Sequence, residues 1–304
     1  MHRHQHRQVG RATRTERHSA RVDIELLGGF QVSVDGTVTP EHGWRRRSAA
    51  ALVKVLALAP GQRLHREQVI DLLWPDEPPS DAAPKLHKAA HFARRAAGRH
   101  DAVVLRNDVV QLFPTAVLTV DALVFDELSR RALSSRDAAT ARAAIDHYAG
   151  ELLPDDRYEE WADERRELLR LRHLNVLRLA GQWLEVSELE PSDEEAHVAV
   201  IRDLVANGDP SAALAHFEHL ERVLDRELGA APGPTALALR DDIESATAAQ
   251  RSTLDQLAGF EDCVGVEALV AELAEVTQRQ TRLIQMLTTA AANPYCAPVS
   301  GSTS

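Results

Sequence analysis

The spacing of apolar residues changes once along the chain, near position 120, and this change constrains the fold more than any other feature. Before it, short alternating segments surround three stretches with helical spacing, whereas from Asp121 onward the spacing is helical almost without interruption. The 304 residues leave room for two ordinary domains and tails. We therefore expect a multidomain, mainly α protein with segments 1–20, 21–115, 120–250 and 251–304.

The first of the two large segments contains strands, three helices and a β-hairpin, in that order. Asp35-Gly36 and Arg106-Asn107-Asp108 each separate two apolar runs, as expected for hairpin turns. The third helix is expected to begin with Ser80 or Asp81 as its N-cap, which places Pro84 in the first turn, where proline is tolerated. The predicted helices cover residues 45–59, 66–74 and 81–97.

The two halves of the chain have opposite net charge. Residues 1–120 carry 18 Lys and Arg against 12 Asp and Glu, a net charge of +6. Residues 121–304 carry 17 against 34, a net charge of −17. A basic first half attracts phosphates, and an acidic second half reduces non-specific adhesion to them. Chance segregation of solvated charge explains the same numbers equally well.

The third predicted helix has two different faces. Leu86, Ala90, Ala93 and Ala97 recur at a spacing of three or four residues and form one stripe that is expected to be buried. A basic face that includes an aromatic residue fits the major groove of DNA, although a solvated surface helix has the same appearance. The candidate base-contacting residues are Lys85, His87, Lys88, His91, Phe92 and Arg95.

Further arginines stand on either side of this helix in the expected fold. Arg45, Arg46 and Arg47 open the first helix, and Arg106 lies at the tip of the hairpin. Contacts to phosphate position a protein on DNA without reading its sequence. These four residues are therefore the candidate phosphate anchors.

The second large segment contains an internally repeated sequence pattern. Asp137, Ala141, Ile145 and Tyr148 recur in kind, 72 residues later, as Asp209, Ala213, Phe217 and Leu220. This offset is close to twice the ~34-residue period of tetratricopeptide repeats. An all-α repeat domain is expected, with a non-repetitive helical bundle as the alternative.

The two ends of the chain carry weaker signals. Residues 1–20 are basic and polar and are expected to form a disordered arm, in which His2, His4 and His6 form no closed ligand set. Positions 266–287 follow heptad spacing, but their flanking positions lack the charges of a strict coiled coil. The segment 251–304 is therefore expected to hold a C-terminal helix and a disordered tail.

No enzyme signature is present. The phosphate-binding, dinucleotide-binding and nucleophile-elbow motifs are all missing, and the acidic cluster 155–164 is expected to be a solvated helix start. His87 and His91 have the spacing of a metal pair, but Lys88 stands where a metalloprotease has glutamate. We expect no catalysis, metal or cofactor. With no signal peptide, no apolar run of ~18 residues and only Cys263 and Cys296, a cytoplasmic protein without membrane association is expected.

Several stretches of the chain resemble the Streptomyces antibiotic regulatory protein family. That family joins an OmpR-type winged helix-turn-helix, with small β-sheets, to a bacterial transcriptional activator domain of tetratricopeptide-like helices. The matching stretches are LLGGFQVSVDG at 26–36, WRRRSAAALVKVLAL at 44–58, the segment from REQVIDLLWPDEPPSD to ARRAAG at 66–98, ELLPDDRYEEWADERRELL at 151–169, and the segment 190–239.

The resemblance implies that 81–97 is the recognition helix and 103–113 the wing of a sequence-specific DNA-binding regulator. It further implies an activator that binds direct repeats in promoter DNA, as a homodimer on the DNA, and contacts RNA polymerase. His91 and Phe92 stand where polar or basic residues are common in the family. This departure keeps open a second hypothesis, a protein-binding adaptor whose winged helix has weak or lost DNA affinity.

Overall fold

The computed structural model describes residues 19–258 and, within 270–279, all but 272 and 276. Almost all of the predicted basic arm and most of the predicted heptads therefore lie outside the described residues. The chain divides into two compact units, Met1–His197 and Val198–Ser304. Among the described residues, no helix combines the length and the apolar character that crossing a bilayer requires.

Small sheets near the N-terminus precede a long succession of helices, which confirms the predicted fold class. The strands are β1 (Arg21–Glu25), β2 (Gln31–Val34), β3 (Thr37–Val38), β4 (Arg63–His65), β5 (Val103–Arg106), β6 (Val109–Leu112) and β7 (Val117–Val120). The helices are α1 (Arg47–Leu58), α2 (Arg66–Leu73), α3 (Pro79–Ala96), α4 (Asp121–Ser135), α5 (Ala138–Ile145), α6 (Asp163–Ala180), α7 (Trp183–Leu189), α8 (Glu194–Ala206), α9 (Pro210–Leu228) and α10 (Pro234–Ala258).

The first sheet has the strand order β3-β2-β1-β7. The predicted turn joins β2 to β3, and Asp35 and Gly36 have φ angles of 51° and 78°, as a tight hairpin turn requires. At the other edge β7 pairs in parallel with β1, with Val22 opposite Leu118. The strand β7 is not expected from the sequence, because the four residues Val117–Val120 are too few to show a clear alternation.

The second sheet, of order β4-β6-β5, contains the predicted second hairpin. Its two-residue turn is Asn107-Asp108, with φ angles of 50° and 59°, while Arg106 is the last residue of β5. Positive φ at both central positions is typical of a type I′ turn. The strand β4 was not predicted, and it extends this hairpin into a three-stranded wing.

The third helix starts earlier than predicted. Its N-cap is Pro78 and its first residue is Pro79, so neither Ser80 nor Asp81 is the cap. Proline is favoured at the first helical position because its fixed φ suits a helix and its missing N–H would be unpaired there. Pro84 consequently lies in the second turn and leaves a carbonyl of the first turn without its helical hydrogen bond.

One large apolar core runs through the first unit from β1 to α6. It includes Ile24 of β1, Leu86 of α3 and Phe113 after the wing, and also Phe125 of α4 and Leu153 after α5. The strands and the helices that follow them therefore exclude water jointly. The domain boundary predicted near 114–120 rests on a change in composition along the chain. Independent folding of the segments on either side of it remains a prediction.

A partly buried carboxylate reinforces this continuity. Asp121, the first residue of α4, accepts hydrogen bonds from the backbone N–H groups of Leu26, at 2.8 and 2.9 Å, and Leu27, at 2.9 Å. Burial raises the pKa of Asp121, while these hydrogen bonds act in the opposite direction. Asp121 thus accepts hydrogen bonds from the backbone that follows β1, about 95 residues earlier in the sequence.

The internally repeated sequence pattern occupies equivalent positions in two helices. Asp137 is the N-cap of α5 and accepts from the N–H of Ala139, and Asp209 is the N-cap of α9 and accepts from the N–H of Ala212. The alanines four residues later, Ala141 and Ala213, are both fully buried. The same local pattern therefore starts and buries a helix in each unit.

Candidate nucleic-acid interface

Helix α3 presents the predicted basic face to solvent. Leu86, Ala90 and Ala93 are buried, which confirms the predicted apolar stripe. Five of the six candidate base-contacting residues are exposed, namely Lys85, His87, Lys88, His91 and Arg95. The structure therefore leaves these five side chains accessible to a ligand as large as a DNA duplex.

The sixth candidate, Phe92, is only half exposed. It packs against the core, and the guanidinium carbon of Arg46 lies 4.8 Å from the centre of its ring. The ring of His91 approaches the edge of Phe92 at 5.5 Å between centroids. A cation above an aromatic face is attracted by the ring quadrupole, so Phe92 holds Arg46 beside the second half of α3. A contact between Phe92 and a base remains a prediction.

The cations of α3 differ in whether the protein neutralises them. Lys85 forms an ion pair with Glu77, which lies in the loop before the helix. Arg94 donates from Nε to the carbonyl oxygen of Val103 at 2.8 Å and so fastens α3 to β5. Lys88 and Arg95 have no carboxylate partner within the described part of the chain. These two side chains are the strongest candidates for contacts to bases.

The wing lies beside the first half of α3. A narrow cleft of about 180 Å³ separates them and is lined by His87 and Arg106 among others. Asp108 at the wing tip pairs with Arg66 at 3.3 Å, which ties the tip to the start of α2. The structure therefore brings Arg106, one of the predicted phosphate anchors, next to a predicted base-contacting residue.

A second, wider cleft of about 490 Å³ lies on the other side of the wing. Arg63, His65 and Gln68 line it together with Arg106. Arg63 and His65 are not expected from the sequence, because they belong to the unpredicted strand β4. Gln68 lies in α2, which is a predicted helix, but its position in the helix does not reveal that it lies beside the wing. A basic side chain and hydrogen-bonding groups beside a wing extend the candidate interface beyond α3.

The three consecutive arginines have different environments. Arg45 and Arg46 are exposed, and Arg45 has no ion-pair partner among the described residues. Arg47 donates to Glu159 at 2.9 Å, although its side chain is 76% exposed. Two of these three arginines are thus available to phosphate, and Arg47 already has a counterion within the protein.

Three members of the acidic cluster 155–164 make ion pairs, namely Asp156, Glu159 and Asp163. Asp163 and Glu164 lie in the first turn of α6, as predicted for a helix start, but the cluster as a whole is not only solvated. Glu159 pairs with Arg47, and Asp156 pairs with Lys54 of α1 at 2.5 Å. Both side chains of the second pair are nearly buried, with 9% and 14% exposure, and the Lys54 ammonium lies 4.6 Å from the ring centre of Phe30. The cluster therefore fastens the helical segment to α1.

Within the described residues, no group of three or more His, Cys, Asp or Glu side chains is arranged to hold a metal ion. His87 and His91 lie on the exposed side of α3 without a third ligand. The surface around α3 therefore consists of basic and aromatic groups suited to contact an anionic polymer.

Comparisons with known proteins assign part of the chain. Residues 120–244 match the bacterial transcriptional activator domain. Among solved structures, Mycobacterium tuberculosis EmbR in complex with a low-affinity phosphopeptide is similar, with a TM-score of 0.52 and 20% identity, covering 78% of this chain and 72% of that chain. No curated protein matches. Residues 120–244 are therefore similar to a bacterial transcriptional activator domain, and the chain shares with EmbR a fold of small N-terminal sheets followed by helices.

Proposed function

We propose that this protein is a sequence-specific DNA-binding transcriptional regulator of the Streptomyces antibiotic regulatory protein type, with an OmpR-type winged helix. The single observation that carries the proposal is the face of α3, where Lys88 and Arg95 are exposed and have no carboxylate partner among the residues that the structure describes. Arg46 lies beside one half of this helix and Arg106 beside the other. The activator domain that follows agrees with a role in transcription.

The proposed binding mode places α3 in the major groove. Lys88 and Arg95 donate hydrogen bonds to base edges, for which guanine O6 and N7 are the usual acceptors of basic side chains. Arg45, Arg46 and Arg106 contact phosphates and fix the orientation of α3. Each phosphate contact releases counterions, so affinity falls as salt concentration rises.

Two protomers bind side by side on direct repeats in this proposal. One recognition helix covers only part of a helical turn, so a single protomer reads few base pairs. For two helices to enter the major groove on one face, the repeats must lie about 10–10.5 bp apart, or at a multiple of this distance. The bound protein then activates transcription by contacting RNA polymerase.

The decisive experiment selects bound sequences from a random DNA library with the full-length protein. We expect a direct repeat with helical-turn spacing and an affinity that decreases steeply with salt. Insertion of five base pairs between the repeats should abolish cooperative binding, because it moves the second protomer to the opposite face. Transcription with purified RNA polymerase from a template carrying the site should increase when the protein is added.

Failure of this selection would favour the second hypothesis. A chain that enriches no sequence, and whose weak DNA binding shows no salt dependence, would be a protein-binding adaptor. The half-buried Phe92 and the pairing of Arg47 with Glu159 are the observations in its favour, since both reduce the number of groups that DNA can contact.

A further inference from the structure

A cavity of about 500 Å³ opens between the turn after α5 and the helices α6 and α7. Its apolar wall includes Tyr148, Leu174 and Leu189, and its polar lining includes Glu151, Arg170, His173 and Glu185. Cavities of roughly 300–1,000 Å³ with a few convergent polar groups are typical of small-molecule sites. This cavity is separate from the α3 surface and has no role in the proposed DNA contacts.

A buried imidazole lies at the floor of the cavity. The side chain of His173 is only 7% exposed, and its ring stacks on Tyr148 with 3.9 Å between centroids. Burial lowers the pKa of His173 to about 4, so the ring is neutral near pH 7. Nδ1 is buried without a hydrogen-bond partner among the described residues, and Nε2 lies 3.8 Å from Glu185, too far for a hydrogen bond.

The charged residues that line the cavity differ in how far neighbouring charges compensate them. Glu151 has guanidinium groups at 3.6 and 3.7 Å, from Arg157 and Arg166. Arg170 lies between two carboxylates outside the cavity wall, Glu167 and Glu190. Glu185 lies 3.8 Å from the neutral ring of His173, its one ion-pair contact among the described residues. Within this part of the chain, the carboxylate of Glu185 therefore has no compensating positive charge.

We propose that this cavity binds a small primary or secondary ammonium compound with an aliphatic or aromatic body. The charged nitrogen lies between Glu185 and His173, where it donates to the carboxylate and to the imidazole. The body packs against Tyr148, Leu174 and Leu189. A carboxylate or phosphate ligand is disfavoured beside His173, because the uncompensated carboxylate of Glu185 would repel it.

The test compares two molecules of nearly equal shape, phenethylamine and 2-phenylethanol, by calorimetric titration of the full-length protein. We expect saturable 1:1 binding of the amine and at least about tenfold weaker binding of the alcohol, because a hydrogen bond to a charged group is worth more than a neutral one. Glu185→Gln should weaken amine binding by about tenfold or more. The matched control Glu188→Gln changes an exposed glutamate of the same helix and should leave binding unaltered.

Three results would overturn the proposal. The first is equal affinity for the amine and the alcohol, which would show that the charge is not recognised. The second is an equal loss of amine affinity in both glutamine variants, which would indicate long-range attraction rather than contact. The third is no saturable binding of phenethylamine, cyclohexylamine or putrescine up to about 10 mM, well above ordinary ligand affinities.

Discussion

Helices α3 and α6 are both 18 residues long and both rich in cations, but they use these cations in different ways. In α6 the charges of the five arginines are compensated within the protein, since each arginine has a carboxylate within 4 Å. They are Arg165, Arg166, Arg170, Arg172 and Arg178. In α3, Lys85 is the one residue with such a partner among the described residues.

This difference shows that the number of basic residues on a helix does not identify an interface. A cation near a fixed carboxylate gains little from a phosphate, because the new contact replaces an existing one. Unpaired cations on an exposed face keep their full attraction for an anionic partner. We therefore distinguish two classes of cation: those paired with carboxylates, which stabilise the fold, and those without such a partner among the described residues, which are available to DNA.

The largest expected effect concerns the paired class. Asp156→Ala leaves the nearly buried Lys54 without its carboxylate, and breaking a buried pair costs about 3–5 kcal/mol. We expect the free energy of unfolding, measured in urea, to fall by about 3 kcal/mol. Asp155→Ala, which removes the exposed neighbouring carboxylate, is the control and should change it by less than about 0.5 kcal/mol. Equal effects of the two substitutions would contradict a structural role for the pair.

The next effect concerns the unpaired cations of α3. Lys88→Ala and Arg95→Ala should each weaken binding to the selected DNA site by about 1–3 kcal/mol where the side chains contact base edges. Fluorescence anisotropy with specific and scrambled duplexes measures this loss. Arg142→Ala, an exposed arginine of α5, should leave affinity unaltered. Unchanged binding by both α3 variants would place the recognition surface elsewhere.

A third effect concerns the interior side of α6. The pKa of His173 is lowered to about 4 by burial, so the unfolded chain binds this proton more readily than the folded chain. The stabilisation is complete above pH 6.5 and is lost as the pH falls towards 4. From pH 7 to pH 5 the free energy of unfolding should drop by about 2 kcal/mol more than in His173→Phe. An identical pH dependence of both proteins would show that the histidine is not buried in its neutral form.

The smallest effects are expected at the start of α1. Arg45→Ala and Arg46→Ala should weaken binding to all DNA sequences alike and reduce the salt slope by about 1 for each lost contact. Arg47→Ala should have a smaller effect, because Glu159 already compensates its charge. Glu159→Gln should then increase the salt slope. A change in the preferred DNA site, rather than in overall affinity, would exclude these arginines as phosphate anchors.

Much of the candidate interface could be predicted from sequence because it depends on a single helix. Helical spacing alone places Leu86, Ala90 and Ala93 on one side and the basic residues on the others. The exceptions depend on neighbouring elements. Phe92 is half-buried because it packs against the core and Arg46 lies over its ring. Arg63 lies beside the wing because β4 pairs with β6.

What the sequence determined by itself has local causes. Asp35-Gly36 and Asn107-Asp108 form turns because these residues tolerate positive φ, and Asp137 and Asp209 cap helices through N–H groups two or three residues away. The tertiary structure decided the contacts between distant positions. Lys54 pairs with Asp156, which lies 102 residues later in the sequence, and the cavity forms where α6 and α7 pack. The pattern of residue types along the sequence does not specify which distant residues come into contact.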